Sequence, residues 1–294
     1  MKVGITSIQR DRNPYIIEWV AFHLCMGFTD FFIYAHKCTD AMGDTLKKLA
    51  QHYPIIVKEI DDDAPPQLKI YWESINEHVA NIDWMAFIDG DEFLMPMQHA
   101  SIGEALASYQ DKPISALGVY WMCYGSSGHL TEPQGLVTEN FTRHAPANFA
   151  VNRHAKTILK GRNTQHIHTV AAHIFDTNNG TFDEQMRPIA TGWEHAHEPS
   201  HSVFRINHYL TQSYDFYRYK KRFMGAADVN ANLERDASWW TGHDRNDCDD
   251  GIRYSFLIKL KLKIEEIEQK LALNKKTFNK PTATYDISRM TYKG

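Results

Sequence analysis

The chain has 294 residues, of which 43% are hydrophobic and 23% are charged, so it is long enough for one large α/β domain or two small ones in an ordinary globular protein. Its formal net charge of -4 gives no global basic field, and we therefore expect no nucleic-acid partner. The four cysteines have no C-x-x-C spacing, which argues against a disulfide framework and against a cysteine-rich zinc site.

The apolar runs of the sequence are short. None approaches about 20 residues, the length that a membrane-spanning helix needs, so no transmembrane span is predicted. The first residues also lack the apolar segment of a signal peptide. We expect a cytoplasmic protein with reduced thiols, and the sequence leaves peripheral membrane contact open.

The first hundred residues alternate between strand and helix patterns. Strands are predicted at 3–8, 30–36, 54–60 and 84–93. Helices are predicted at 13–27, 45–53 and 68–81. This alternation favours an α/β fold with a mostly parallel sheet flanked by helices, and the continuous apolar runs agree, because parallel strands are covered on both faces.

The second half of the chain has a looser pattern. Short strands are predicted at 114–125, 154–161 and 168–176, and helices at 212–227 and 251–276. No linker or internal repeat interrupts the chain. We therefore predict one main domain at 1–250 and a helical C-terminal extension at 251–294 packed on the core, although pairing with another chain or membrane contact would also suit the amphipathic helix.

Two acids end the fourth predicted strand. Asp89 and Asp91 are two residues apart, which places both on one side of an extended segment, and Gly90 leaves space between them. The carboxyl ends of parallel strands form the ligand edge of such a sheet. Two convergent carboxylates suit Mn²⁺ or Mg²⁺ carrying a substrate phosphate. Alternatively, the acids only end the strand and cap a turn.

Known loops that bind calcium or nucleotides are missing from the sequence. The ligand pattern of an EF-hand does not continue after Asp91, and neither a P-loop nor a G-x-G-x-x-G turn is present. If a nucleotide binds, another architecture holds it.

Longer motifs surround the acidic pair. They are "RDRNPYIIEWVAFHLCMGFTDFFIYAHKCTD" (10–40), "DWMAFIDGDEFLMP" (83–96), "YGSSGH" (124–129) and "INHYLTQSYDFYRYKKRFMG" (206–225). Together they resemble glycosyltransferase family 92 and the related family-2-like enzymes, which have the GT-A (Rossmann-like) fold, and the likeness spans about residues 1–250. One departure is that this chain has Arg10-Asp11-Arg12 where relatives often read Lys-Asn-Glu.

The resemblance implies a metal-dependent, inverting glycosyltransferase. Such an enzyme moves a sugar from a nucleoside-diphosphate donor, for which a UDP-sugar is the family-based expectation, to a hydroxyl of a glycan, polysaccharide or glycoconjugate. It implies Asp91 as the main ligand of Mn²⁺ or Mg²⁺, Asp89 as a partner of the metal's waters or of the donor ribose, and His208 as a third metal ligand.

Further residues are candidates for the nucleotide-sugar site. The resemblance places Arg10 and Asp40 at the strand ends that hold the nucleotide, and Lys156 near the donor phosphates. The Gly/Ser loop offers Ser127 and His129 to a sugar. The alternatives are surface salt bridges for Arg10 and Asp40 and an ordinary turn for the loop.

An inverting reaction needs a carboxylate that takes the acceptor's proton. The candidates are Glu194 and, among the acids of 243–252, chiefly Asp247, with Asp244, Asp249 and Asp250 beside it; Asp249 or Asp250 would also serve as a helix cap.

Two other functions fit parts of the sequence. Eight histidines lie between 154 and 208, and the spacings "HIH" and "HAH" occur in zinc sites, which would suit a His/Asp metallohydrolase. A non-catalytic carbohydrate-binding protein on a glycosyltransferase scaffold is the other alternative.

Overall fold

The computed structural model describes residues 1–63, 66–162, 167–194, 196–223, 234–249 and 254–272. The strands are β1 (Val3–Gln9), β2 (Asp30–His36), β3 (Ile55–Ile60), β4 (Trp84–Phe87), β5 (Glu92–Pro96), β6 (Ala116–Cys123), β7 (Arg143–His144), β8 (Ala155–Lys160), β9 (Ile167–Thr169), β10 (Asp176–Thr177), β11 (Thr181–Phe182), β12 (Pro188–Ile189), β13 (Phe204–His208) and β14 (Cys248–Asp249). The helices are α1 (Asn13–Cys25), α2 (Met42–Leu49), α3 (Gln67–His78), α4 (Ile102–Ala107), α5 (Val137–Asn140), α6 (Tyr214–Tyr219), α7 (Ala237–His243) and α8 (Tyr254–Lys270).

The main sheet is mostly parallel and flanked by helices. Its strands follow the order β12-β11-β6-β8-β4-β1-β2-β3. β1 pairs in parallel with β2 and β4, and β2 with β3, while β8 runs antiparallel to β4 and β6. This architecture confirms the predicted α/β class with a mostly parallel sheet flanked by helices.

The predicted fourth strand is two strands in the structure. β4 ends at Phe87, a turn follows, and β5 begins at Glu92. β5 does not extend the main order but pairs antiparallel with β13, which in turn pairs in parallel with β6. The break comes at Gly90, where a Cβ would lie 2.6 Å from the side-chain oxygen of Gln9. The acids therefore occupy a turn that two strand pairs hold from either side.

Downstream elements are shorter than the sequence predicts. The strand predicted at 168–176 is a small hairpin of β9 and β10. The helix predicted at 212–227 corresponds to α6, which ends at Tyr219, followed by a short 3₁₀ turn at Lys221–Phe223. Residues 224–227 lie outside the described residues, as do 251–253 and 273–276 of the last predicted helix.

Helix α1 fixes the strand that follows the acids. The indole Nε1 of Trp19 donates to the main-chain oxygen of Glu92 at 2.9 Å, and His23 Nε2 accepts from the N–H of Leu94 at 3.2 Å. Glu18 accepts from the N–H groups of residues 137 and 138, at the start of α5. The E-W-x-x-x-H part of the first motif therefore has a structural role: it holds β5 and α5 against the core.

Helix α8 packs against α1. Leu260, Ile264 and Ile267 are buried in the main hydrophobic cluster, and the ammonium of Lys259 donates to the main-chain oxygen of Cys25 at 2.9 Å. The domain boundary at residue 250 stays a prediction, because residues 250–253 lie outside the described part. Within the described ranges, none of the helices combines the length and the apolar character that crossing a membrane requires.

The hydrogen bonds of His23 require a neutral ring. Its Nδ1 donates to the main-chain oxygen of Trp19 at 2.8 Å, so Nε2 is free to accept from Leu94. Burial lowers the pKa of His23 to about 3. Below pH 6.5 the unfolded chain takes up a proton that the native ring refuses, so this residue reduces the free energy of unfolding as the pH falls.

We predict that the buried, neutral ring of His23 lowers the free energy of unfolding by about 2 kcal/mol between neutral pH and pH 5. Urea unfolding at pH 7 and pH 5 measures it. His23→Gln should be less stable at pH 7 but lose less on acidification, whereas His99→Gln, at an exposed position, should lose as much as the wild type. An undiminished acid loss in His23→Gln would contradict the assignment.

Candidate active site

Asp91 lies at the meeting point of three parts of the chain. Its Oδ2 accepts from the ammonium of Lys221 at 2.9 Å, and its Oδ1 lies 3.7 Å from Nε2 of His208, at the end of β13. Burial by itself would raise the pKa of Asp91, but the charge of Lys221, together with His208 and Arg12, holds the pKa well below its usual value. Asp91, whose side chain is 14% exposed, is therefore held in its ionised form.

Asp89 belongs to a separate charge cluster. Its Oδ2 accepts from the ammonium of Lys156 at 2.8 Å and its Oδ1 from the amide of Gln67 at 3.3 Å. Lys156 is buried on β8, and its Nζ also lies 3.7 Å from Oε1 of the fully buried Glu92. One buried ammonium thus lies close to the carboxyl groups of both Asp89 and Glu92.

Glu92 is a site residue that sequence reasoning missed. Its Oε2 accepts from the N–H of Asp89 at 2.8 Å, which fixes the turn. Burial raises the pKa of Glu92 to about 8, although the charge of Lys156 acts in the opposite direction. The Glu-Phe-Leu-x-Pro continuation of the motif contained this residue, but the letters alone do not show that its carboxylate faces inward.

The positions of Asp91 and His208 suit two ligands of one divalent metal ion, whose other ligands would come from the substrate. Adjacent ligands of an octahedral ion at about 2.1 Å lie about 3 Å apart, close to the 3.7 Å between Asp91 Oδ1 and His208 Nε2. Burial lowers the pKa of His208, which keeps the ring neutral as a ligand must be. Its buried Nδ1 has no hydrogen-bond partner within the part of the chain that the structure describes. One carboxylate and one imidazole leave most positions to phosphate oxygens and water.

Asp89, Asp91 and His208 do not form a preformed metal site with three side-chain ligands. Among the described residues, three candidate ligand atoms come within 4.8 Å of one another only at Asp11, Cys38 and Asp40. There Asp11 accepts from the main-chain N–H groups of residues 39 and 40, which accounts for the cluster as a turn. Asp89 instead faces Lys156.

Arg12 contacts the acidic turn. It is buried, its Nη2 donates to the main-chain oxygen of Gly90 at 2.9 Å, and its guanidinium lies over the ring of Tyr15. Arg10 points outward, with its side chain 51% exposed, and lies 3.7 Å from Asp11. Asp11 has a φ of 51°, and this left-handed turn separates two arginines that a regular strand would place on one side.

The family of the chain follows from a comparison with protein-family models. The model described as Glycosyltransferase family 92 matches residues 6–241. The chain belongs to glycosyltransferase family 92.

Individual relatives are distant. A glycosyltransferase family 92 protein of Oryza sativa subsp. japonica is 22% identical over 222 residues, which make up 75% of this chain and 35% of the rice protein. The chain thus spans about a third of that relative's length.

Two solved structures are among the similar ones. S. aureus TarS 1-349 in complex with UDP is 12% identical, covers 54% of this chain and 47% of its own, and has a TM-score of 0.38. Glucosyl-3-phosphoglycerate synthase from Mycobacterium tuberculosis, in complex with Mn²⁺, UDP and glucosyl-3-phosphoglycerate, is 11% identical, covers 41% of this chain and 44% of its own, and has a TM-score of 0.30.

Asp40 joins two helices of this family 92 chain. Its Oδ2 accepts from the N–H of Asn13 at 2.8 Å and its Oδ1 from the N–H of Met42 at 3.0 Å, so it caps the first turns of α1 and α2. Asn13 is the first helical residue of α1. A nucleotide contact of Asp40 would have to share these carboxylate oxygens.

The loop at 124–129 is held by its own hydrogen bonds. The N–H of Ser127 donates to the side chain of Asn246 at 2.7 Å, and its Oγ accepts from the N–H of Arg143 at 3.0 Å. His129 Nε2 lies 3.2 Å from the main-chain oxygen of Asn140. A sugar contact by this loop therefore requires that the remaining hydrogen-bonding capacity of Ser127 and His129 be used.

The two candidate bases have different surroundings. Glu194 is buried, and its Oε1 accepts from the N–H of Ala196. Asp247 forms a two-point ion pair with Arg245 at 2.9 and 2.8 Å, and the hydrogen bond from Arg245 lowers the pKa of Asp247. Asp250, another acid of that run, lies outside the described residues.

Histidines of the 154–208 region surround the indole of Trp121. The rings of His154, His173 and His208 lie 4.7, 5.2 and 4.1 Å from it, centroid to centroid. His154 and His173 each place Nδ1 by a main-chain oxygen. In the described ranges these histidines form aromatic contacts and no three-ligand cluster; His166 and His195 lie outside those ranges.

We predict that Lys156→Met destabilises the protein by about 3–5 kcal/mol, because it removes the buried ammonium that pairs with Asp89 and lies beside Glu92. Urea unfolding at pH 7.5 measures the loss. Lys160→Met is the matched control on the same strand, since the ammonium of Lys160 donates only to the main-chain oxygen of Lys112 among its described contacts and is half-buried. Equal losses in the two variants would contradict the proposed importance of the buried pair.

Proposed function

We propose that this family 92 chain moves a sugar from a nucleoside-diphosphate donor to a hydroxyl of a carbohydrate acceptor, with inversion and with the help of Mn²⁺ or Mg²⁺. The observation that carries the proposal is the pair formed by Asp91 and His208, with 3.7 Å between Oδ1 and Nε2, at the ligand edge of the sheet. A UDP-sugar is the donor that the family resemblance favours.

The metal and the residues around it have distinct tasks. Asp91 and His208 would hold the metal, with imidazole favouring Mn²⁺ over Mg²⁺. When bound, a divalent cation acts as a Lewis acid on the diphosphate leaving group. Asp89 would accept hydrogen bonds from the donor ribose or from metal-bound water on its exposed side, while Lys156 keeps it in place and adds positive charge towards the phosphates.

The nucleotide and sugar would lie along the loops that follow the strands. Arg10 and Asp40 follow β1 and β2, where we propose contacts to the nucleotide. The exposed guanidinium of Arg10 is free to turn towards a base carbonyl or a phosphate. Ser127 and His129 would contact the transferred sugar from the loop after β6.

Glu194 is our preferred general base. Its carboxylate is buried next to Trp193, whose ring lies 4.7 Å from that of His154 in the group around Trp121 and His208. Asp247 is the second candidate, but its two-point pairing with Arg245 stabilises the ionised form and lowers its strength as a base.

We predict that Asp91→Asn abolishes metal-dependent binding of nucleoside diphosphate and leaves the fold intact. Titration calorimetry with UDP, with and without Mn²⁺, measures the binding, and circular dichroism monitors the fold. Asp63→Asn, at an exposed position, is the control and should bind as the wild type does. Unchanged binding by Asp91→Asn would contradict the assignment of Asp91 as a metal ligand.

A screen of nucleotide sugars with Mn²⁺ then tests the activity through release of nucleoside diphosphate. Binding without release, with any acceptor or water, would favour a non-catalytic carbohydrate-binding protein. Thermal stabilisation by Zn²⁺ alone, with no effect of nucleotide, would favour the metallohydrolase.

We predict that Glu194→Gln lowers kcat by a factor of about 10²–10⁴, the usual contribution of a general base, and leaves the KM for the donor nearly unchanged. Asp247→Asn should lower kcat by less than tenfold. Steady-state kinetics with the donor and acceptor found in the screen measure both, and the reverse ranking would make Asp247 the base.

A further inference from the structure

The second oxygen of Asp91 is occupied by Lys221. This lysine is the first residue of the 3₁₀ turn after α6, only 11% of its side chain is exposed, and its Nζ lies 2.9 Å from Asp91 Oδ2. Arg235 donates to the main-chain oxygen of Lys221 at 3.1 Å and so anchors the turn. A lysine in this position is held against the same carboxylate that would bind the metal.

Positive charge accumulates around this pair. Arg12 and Lys220 both use their charged groups on main-chain oxygens, of Gly90 and Asp11 respectively, and those acceptors carry no formal charge. The Nε of Arg12 is buried, and none of the described residues is its hydrogen-bond partner. Burial, and next the charge of Arg12, lower the pKa of Lys220 to about 8. Such crowding of cations is favourable next to an anion.

A diphosphate matches this arrangement in charge and in hydrogen bonding. A metal ion on the Oδ1 side of Asp91 would repel the ammonium on the Oδ2 side, and a phosphate group that bridges them removes that repulsion. The lysine side chain is flexible and its ammonium has three donors, so it can leave Asp91 for a phosphate oxygen without a movement of the main chain.

We propose that Lys221 binds the diphosphate of the donor, with Arg12 beside it, and exchanges Asp91 for a phosphate oxygen when the donor enters. This inference rests on the proposed function. In the transfer, the acceptor oxygen bonds to the anomeric carbon, and its proton goes to the base. The bond from that carbon to the phosphate oxygen breaks, the electron pair stays on the phosphate, and Lys221 stabilises the charge that develops there.

The alternative is that Lys221 only neutralises Asp91 in the absence of substrate. The two roles predict opposite effects of its removal. A residue that binds the diphosphate strengthens its binding, whereas a residue that merely competes with the metal weakens it.

Titration calorimetry in saturating Mn²⁺, with inorganic pyrophosphate and with UDP as probes, separates these roles. We expect Lys221→Met to lose at least tenfold in affinity for both probes, because a charge-assisted hydrogen bond to phosphate is lost. Lys221→Arg should stay within about threefold of the wild type. Arg222→Met, the neighbouring residue whose guanidinium pairs with Glu234, is the matched control and should bind within about twofold.

Unchanged or tighter binding by Lys221→Met would overturn the proposal. If that variant does not fold, Lys221→Gln keeps a hydrogen-bond donor for Asp91 without the charge and is expected to show the same loss; full affinity in it overturns the proposal equally. The proposed function fails in a different way, since the wild-type protein itself would then show no Mn²⁺-dependent binding of UDP.

Discussion

Three acidic side chains crowd the turn between β4 and β5, and cations from distant parts of the chain lie against them. Lys156 on β8 serves Asp89 and Glu92, and Lys221 after α6 serves Asp91. Burying a carboxylate without such a partner is very costly. The turn is therefore stabilised by β8 and by the segment after α6, and these contacts link the two halves of the fold.

Helix α1 also holds this turn in place. Trp19 and His23 bond to the main chain of β5, so their contribution is to position the acids and not to touch a ligand. Part of the first family motif is thus explained by packing and main-chain hydrogen bonds. The residues of that motif nearest the proposed chemistry are those before the helix, where Arg12 bonds to Gly90.

The charges around Asp91 are those expected of a site that binds an anion. Arg12, Lys220 and Lys221 lie near Asp91, which also faces the imidazole of His208, while Asp11 and Asp40 lie near Lys220. Under the proposed function, the diphosphate of the donor would balance these cations, and Oδ1 of Asp91 would remain for a metal ion. This links the proposed donor to the electrostatics of the site.

The sequence by itself determined the local order of the protein. Apolar runs and helix periods gave the strands and helices of the first hundred residues, and the acids after the fourth strand marked the ligand edge, because these features depend on near neighbours. The break into β4 and β5 was missed, since apolar residues resume at Phe93 directly after the acids and the clash that reserves Gly90 comes from Gln9.

Only the tertiary structure decided the partners of the acids. Lys156 is 67 positions from Asp89 and Lys221 is 130 positions from Asp91, and no periodicity connects residues at such separations. The choice of Arg12 over Arg10 depends on one left-handed residue, Asp11, that reverses which side chain faces inward. Local pattern fixes which groups are available, whereas burial and long-range packing fix which of them meet.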